Sequence, residues 1–391
     1  MTRRRLAGLD GIRGLAALYV VVNHIFERAF PGYPVDHAPW WAGWFIYGRF
    51  AVVVFIVLSG FSLALSPARH GWRLDGVLHF AGRRARRILP AYLAALAFSV
   101  AVAWLLVPQP GQGKPDTRSV VVNGLLVQNL VHARSPNRAF WSMAVEAQLY
   151  VALPLLLLLV RRLGAVVMVA IVTLVVATVG IAGPHDPRLH TFVIQSPPDL
   201  AALFAIGILA AGLVAANRAR PWAWLALGAS APVLLTISLR GSVWTLTHLL
   251  WVDMALGPAI ACLLVGLAAG RPAPLVRLLD SRPLRSLGLS SYSLYLLHEP
   301  IVIVVYRRVV LPRYHHGPTA FLVTIALVVP AAILLARLFA SCFEQPFLRA
   351  SRRQRQVEQV LAPAGLGLQV ADVRGGDVHA GPHLLGDRHA T

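Results

Sequence analysis

Lysine is nearly missing from this sequence: Lys114 stands alone among 36 basic residues in a chain of 391. Acidic residues are scarce as well, at 16, and charged residues of either sign make up 13% of the chain against 57% hydrophobic. A soluble domain would carry about twice that charged share, so a globular fold free in water is excluded. Cysteine is limited to Cys262 and Cys342, each inside an apolar segment, which leaves neither a disulfide framework nor a cysteine-based metal cluster. No GxSxG elbow, Walker loop, HExxH or CxxC occurs. Soluble hydrolase, nucleotidase and zinc chemistries therefore lack their motifs, and no metal is expected.

What the chain has is length in hydrophobic runs. Mean hydropathy is +0.65, and apolar stretches bounded by Pro, Gly or charge fall at 12–28, 45–65, 89–107, 142–160, 165–182, 199–216, 222–239, 246–268, 287–306 and 319–342. A span needs about 20 residues, so the expectation is an all-α polytopic membrane protein with about ten transmembrane helices. Residues 119–131 are apolar but too short to span, which fits an interfacial or re-entrant segment. The net charge of +20 has two readings, nucleic acid and basic cytoplasmic loops. The second suits a membrane chain, and nucleic acid is not expected as a partner.

Arginine placement sets the orientation. With the N-terminus inside, most basic residues fall on inner segments: Arg3–Arg5, Arg69–Arg87, Arg161 and Arg162, Arg218 and Arg220, Arg271–Arg285 and the C-terminal tail. That asymmetry predicts both termini inside, N-in and C-in. Trp40, Trp41 and Trp44 mark the outer interface of this scheme, and Trp222 and Trp224 the inner one. The basic start Met1–Arg5 has no small-residue cleavage site after it, so the first run reads as an uncleaved span. Residues 1–348 form the expected transmembrane domain. Residues 349–391 turn rich in Gly, His and Asp, cannot bury a core, and read as a disordered cytoplasmic tail; a solvated role suits His379, His383 and His389 better than metal binding.

The first run carries ionisable groups where a lipid-facing helix carries none: Asp10, Arg13 and His24. Such residues normally face a bundle interior or a wet cavity. Arg13 and His24 are eleven residues apart, about 16 Å along a helix and nearly three turns, so they share a face. Counting depth along the helices puts Glu146 of the fourth run in the same layer as His24. A neutral histidine beside a carboxylate is what general-base catalysis needs; two separately satisfied buried residues are the bland reading. Arg83, Arg84, Arg86 and Arg87 precede the third run. Positive-inside topology or anionic headgroups explain them as well as a polyphosphate clamp does. His298, beside Glu299 and Pro300, is a candidate site residue or a structural hydrogen-bonder. Glu344 fits a helix end or an arginine partner, and Ser59-Gly60-Phe61 a small-residue packing site.

Six stretches, in this order, carry a resemblance: Leu9-Asp-Gly-Ile-Arg-Gly-Leu-Ala-Ala17 with Arg13 and His24, Val54-Phe-Ile-Val-Leu-Ser-Gly-Phe61, Arg83-Arg-Ala-Arg-Arg-Ile-Leu-Pro-Ala-Tyr92, Phe140-Trp-Ser-Met-Ala-Val-Glu-Ala-Gln-Leu-Tyr150, Tyr292-Ser-Leu-Tyr-Leu-Leu-His-Glu-Pro-Ile301 and Phe343-Glu-Gln-Pro-Phe347. Together they resemble acyltransferase family 3, the integral membrane O-acyltransferases, over about residues 6–348. The resemblance implies ten core helices in the plasma membrane. It implies transfer of an acyl group from acyl-coenzyme A, the donor co-substrate, to a hydroxyl of a sugar-containing acceptor such as a surface polysaccharide, a glycolipid or a glycosylated antibiotic. His24 and Glu146 would be catalytic, Arg13, Arg83, Arg84, Arg86 and Arg87 would hold the coenzyme A phosphates, and His298, Asp10, Trp141 and Tyr150 would contact substrate. The chain departs from the family pattern at Val53 and Ala147, where acids are common, and at Glu299, where an aromatic residue is usual. A transporter or flippase with an Arg/His/Glu proton relay is the alternative, although the matching halves common in transporters are not evident.

Overall fold

The computed structural model describes residues 6–347 apart from His132 and Ala219. The expected disordered tail and the Arg3–Arg5 cluster lie outside the described residues. Helices α1 (Leu9–Ala29), α2 (Arg49–Arg69) and α3 (Val77–Leu105) come first, then the short α4 (Thr117–Gly124). Next are α5 (Phe140–Leu163), α6 (Ala165–Ala182), α7 (Pro187–Gln195), α8 (Asp199–Ala215), α9 (Trp222–Thr247) and α10 (Leu249–Ala268). The chain then runs through α11 (Ala273–Leu279), α12 (Arg282–Leu289), α13 (Ser291–Val305), α14 (Leu311–Tyr314) and α15 (Pro318–Phe339). Among the described residues there is no strand, only an isolated bridge between Gln109 and Gly113.

Local chemistry sets the helix ends. Asp116 accepts from Ser119 N at 2.7 Å and starts α4, and Asp186 caps α7 through Arg188 N and Leu189 N, each filling an orphan donor of a first turn. Gly164, at φ 88°, turns the chain between α5 and α6 in a conformation that a side chain would strain. At α4 the eight-residue helix falls on the segment judged too short to span.

Among the described residues, eight helices are long and apolar enough to cross a membrane, and the pair α7 and α8, bent by 51°, makes nine if counted as one span. Two runs of the expected ten fall on helices that are short taken alone, α8 with 17 residues and α13 with 15. Beyond α13 the helix widens into a π-helical turn at Tyr306–Val310, a feature often found near functional sites. The exterior is oily: Val151, Leu174, Leu227 and Leu239 are all exposed, which suits a lipid solvent better than water.

Helix α1 is the centre of the assembly, packed on α2, α11, α12, α13 and α15. The buried side chains form one cluster around α2, α5, α8 and α10, a second around α1, α13 and α15, and a third that joins α1, α3, α5 and α13. In a bilayer, close backbone approach replaces the hydrophobic effect as the glue between helices. Gly60 of α2 lies against Phe204 O of α8, and Gly207 of α8 against Val57 O of α2, so Gly60 serves as the packing site read from its motif. An ionic clasp binds the same region. Arg49 of α2 meets Asp199 of α8 at 2.8 Å and Asp253 of α10 at 2.5 Å, with its guanidinium over the ring of Trp141 at 5.5 Å.

Because a Cβ at Gly207 would strike a backbone carbonyl that cannot swing away, Gly207→Val should cost about 1–3 kcal/mol by overpacking. Thermal melting of the purified protein reads this as a lowered midpoint. Gly228→Ala, whose Cβ enters open space, should not lower it.

Candidate active site

Two polar poles share helix α1. The first lies in its opening turns. Arg13 donates to Asp10 Oδ1 at 3.3 Å and to Ser62 Oγ of α2 at 3.0 Å, and it is within electrostatic reach of Arg87 and Tyr150. Tyr150 is in turn within reach of Arg84. Arg83 and Arg86 lie on the same opening turns of α3, where Arg86 Nε donates to Gly82 O at 3.3 Å. Glu146 belongs to this pole: it accepts from Ser59 Oγ at 2.8 Å and from the Tyr150 hydroxyl one turn along its own helix. Glu344 closes the neighbourhood, accepting from Ser293 Oγ at 2.9 Å with Arg87 in electrostatic range.

The second pole lies three turns further along α1. His24 Nδ1 stands 3.4 Å from Glu299 Oε2 of α13 and 3.5 Å from Glu27 Oε2 of its own helix. Each carboxylate has its own arginine. Arg28 meets Glu299 Oε1 at 2.5 Å, and Arg138 meets Glu27 Oε2 at 3.2 Å. The result is a chain of alternating charge, Arg138–Glu27–His24–Glu299–Arg28, whose formal charges cancel while the ring is neutral. Burying Glu299 completely would be prohibitive without such pairing.

His298 packs its ring 5.1 Å from that of His24. Its Nδ1 lies 2.7 Å from Tyr295 O, which fixes the proton on Nδ1 and leaves Nε2 as an acceptor. From the segment after α3, Gln109 Nε2 reaches Glu299 Oε1 at 3.4 Å. His24, His298 and Glu299 each offer a ligand atom within 4.8 Å of the others, a nitrogen–nitrogen–oxygen set of the kind zinc takes. Arg28 already occupies Glu299, however, and its fixed positive charge opposes a cation there. We read the group as a hydrogen-bonding cluster.

The structure thus rearranges the residues named from sequence. Asp10, Arg13, Arg84, Arg87, Glu146 and Tyr150 gather at one pole, and His24 and His298 at the other. The expected pairing of His24 with Glu146 is not what the chain forms. Depth along a helix does not decide which neighbour a side chain faces, and α13 turns Glu299 toward His24 while Glu146 turns to Ser59. Trp141 supports Arg49 in the ionic clasp. Sequence reading passed over Glu27, Arg28, Gln109, Arg138 and the direct role of Glu299. Glu299 had a signal, a carboxylate inside an apolar run; Gln109 and Arg138, on connecting segments, had none.

A family model described as an acyltransferase domain, that of acyltransferase family 3, matches residues 6–337. The acyltransferase MdmB of Streptomyces mycarofaciens is 27% identical over 386 residues, covering 92% of this chain and 96% of the relative. The O-acetyltransferase OatA of Staphylococcus aureus is 29% identical over 168 residues, which is 39% of this chain and 25% of that protein. No solved structure matches the chain. A polytopic helical chain whose match to the family runs from before α1 into α15 belongs to acyltransferase family 3.

Proposed function

We propose that this membrane acyltransferase takes its acyl group from acyl-coenzyme A and delivers it to a hydroxyl of a sugar-containing acceptor. The observation that carries the reading is the pairing of His24 with Glu299 and Glu27 on the same helix, and nearly the same face, as Arg13. One helix then links a basic end, suited to phosphates, with a histidine set between carboxylates, suited to proton removal.

In this reading, His24 Nε2 removes the proton of the acceptor hydroxyl as the oxygen attacks the thioester carbonyl. The new C–O bond forms, the C–S bond breaks, and the thiolate leaves with the electron pair of that bond. The imidazolium that forms lies between two carboxylates, as transition-state stabilisation asks. Glu299 and Glu27 are positioning residues, and Arg28 and Arg138 offset their charge. Arg13, Arg84 and Arg87 hold the phosphates, with Arg83 and Arg86 adding to the positive field and Asp10, Glu146 and Tyr150 placed beside them. The arginine pattern supports both termini on the cytoplasmic side, which would give the basic pole access to the cytosolic donor in the plasma membrane. The acetyl group named in OatA makes a short acyl group a reasonable donor to test first.

Thiol release from acetyl-coenzyme A by protein in nanodiscs, with a sugar-rich cell extract as acceptor, tests the reading. His24→Ala should abolish acceptor-dependent release while the protein still inserts; undiminished release would remove His24 from the chemistry. Glu299→Gln should lower kcat by about a hundredfold with little change in the KM for donor. Arg87→Gln should do the reverse, raising the donor KM by roughly tenfold or more and leaving the acceptor KM near wild type. Equal effects on both KM values would point to a misassembled protein instead.

A further inference from the structure

Around His24, four buried side-chain atoms have no hydrogen-bond partner among the described residues: His24 Nδ1, Glu299 Oε2, His298 Nε2 and Gln109 Oε1. The first two face each other at 3.4 Å and pair with a small turn of the ring. The other two have no facing partner of this kind. Both are acceptors. His298 keeps its proton on Nδ1 against Tyr295 O, and Gln109 must aim its NH2 at the Glu299 carboxylate, so its carbonyl oxygen is the orphan. An unsatisfied buried acceptor costs about 1–3 kcal/mol, and native proteins rarely tolerate it without a ligand, a water or a function.

Gln109 is also held in place. It is 2% exposed and bridges to Gly113 in the segment between α3 and α4. That segment is pinned by Trp104 Nε1 donating to Pro115 O at 3.1 Å, by Arg308 donating to Leu106 O at 2.8 Å and by Gln112 accepting from Ser135 N at 3.2 Å. Through Glu299, the amide is tied to the carboxylate that positions His24. Side chains fixed in this way give a site its selectivity.

We propose that Gln109 Oε1 and His298 Nε2 form a hydroxyl-recognition subsite beside the His24–Glu299 pair, so that acceptors with a further hydroxyl next to the one acylated are preferred, with Gln109 the discriminating residue. The inference rests on the transferase reading and narrows its substrate class to polyols with neighbouring hydroxyls. The reacting hydroxyl gives its proton to His24. Its neighbour donates to Gln109 Oε1 and stays unreacted, and a hydroxyl on the other flank finds His298 Nε2. A lone alcohol leaves these acceptors dry and unpaired, which is how a polar pocket rejects an analogue lacking a hydroxyl.

Two probes of one shape test this, cyclohexanol and trans-cyclohexane-1,2-diol, as acceptors for acetyl-coenzyme A with full-length protein in nanodiscs. The diol should show a KM about tenfold below that of cyclohexanol, and Gln109→Met, which keeps volume and removes both polar atoms, should erase the difference by raising the diol KM. Any fall in kcat shared by both probes reports the lost contact to Glu299, and unchanged acetyl-coenzyme A binding shows that the variant is folded. Equal KM values in the wild type, stimulation by neither alcohol, or a preference that survives Gln109→Met would each overturn the subsite. His24-dependent thiol release in those same samples keeps the transferase reading standing. Loss of that release from the wild type removes both.

Discussion

A charge inside a membrane survives only where its partners are built in, and the site of this protein follows from that constraint. Glu299 is wholly buried and would be intolerable alone. Arg28 neutralises one of its oxygens and His24 faces the other. Glu27, paired with Arg138, approaches the same ring nitrogen, Nδ1, from the helix of His24 itself. The imidazole is therefore held by opposing charges rather than by packing alone, and it is the one member of the chain whose protonation can change without stranding a neighbour. The same rule operates at the Arg49–Asp199–Asp253 clasp, where the partners join three helices.

The fold serves the site by making α1 common to everything. Its N-terminal turns supply Arg13 to the basic pole, and its far turns supply His24, Glu27 and Arg28. α13 contributes both His298 and Glu299 from adjacent positions, which a helix directs about 100° apart. Adjacent residues can therefore do different work, His298 flanking the ring of His24 while Glu299 meets its Nδ1. Gly11 and Gly14 let α1 close on the backbone of Leu279 in α11 and of Gly288 in α12, where a Cβ would collide. Close packing of this kind suits a catalytic group, because small displacements from the productive geometry are costly.

Much of this was legible before the fold was known. Asp10, Arg13 and His24 declare themselves by sitting in an apolar run, and the six ordered motifs carry the family. What the sequence could not supply is how the helices shift and rotate against one another. His24 and Glu146 share a depth in the linear count, but the fold sets Glu146 with Ser59 and Tyr150 at the Arg13 pole, away from His24. α8 and α13 show the same limit: their apolar runs look like ordinary spans, while the structure bends one against α7 by 51° and carries the other into a π-helical turn. Gln109 and Arg138 lie on connecting segments whose path no periodicity describes, so their arrival at Glu299 and Glu27 is a property of the fold alone.

The central claim is that one molecule of acyl-coenzyme A bridges the two poles of α1. It is tested most directly by an experimental structure of the protein bound to a thioether analogue of acyl-coenzyme A. The account predicts phosphate density against Arg13 and Arg87 and the acyl carbon beside the ring of His24. Phosphates bound away from those arginines, or an acyl carbon far from His24 with the phosphates in place, would contradict it.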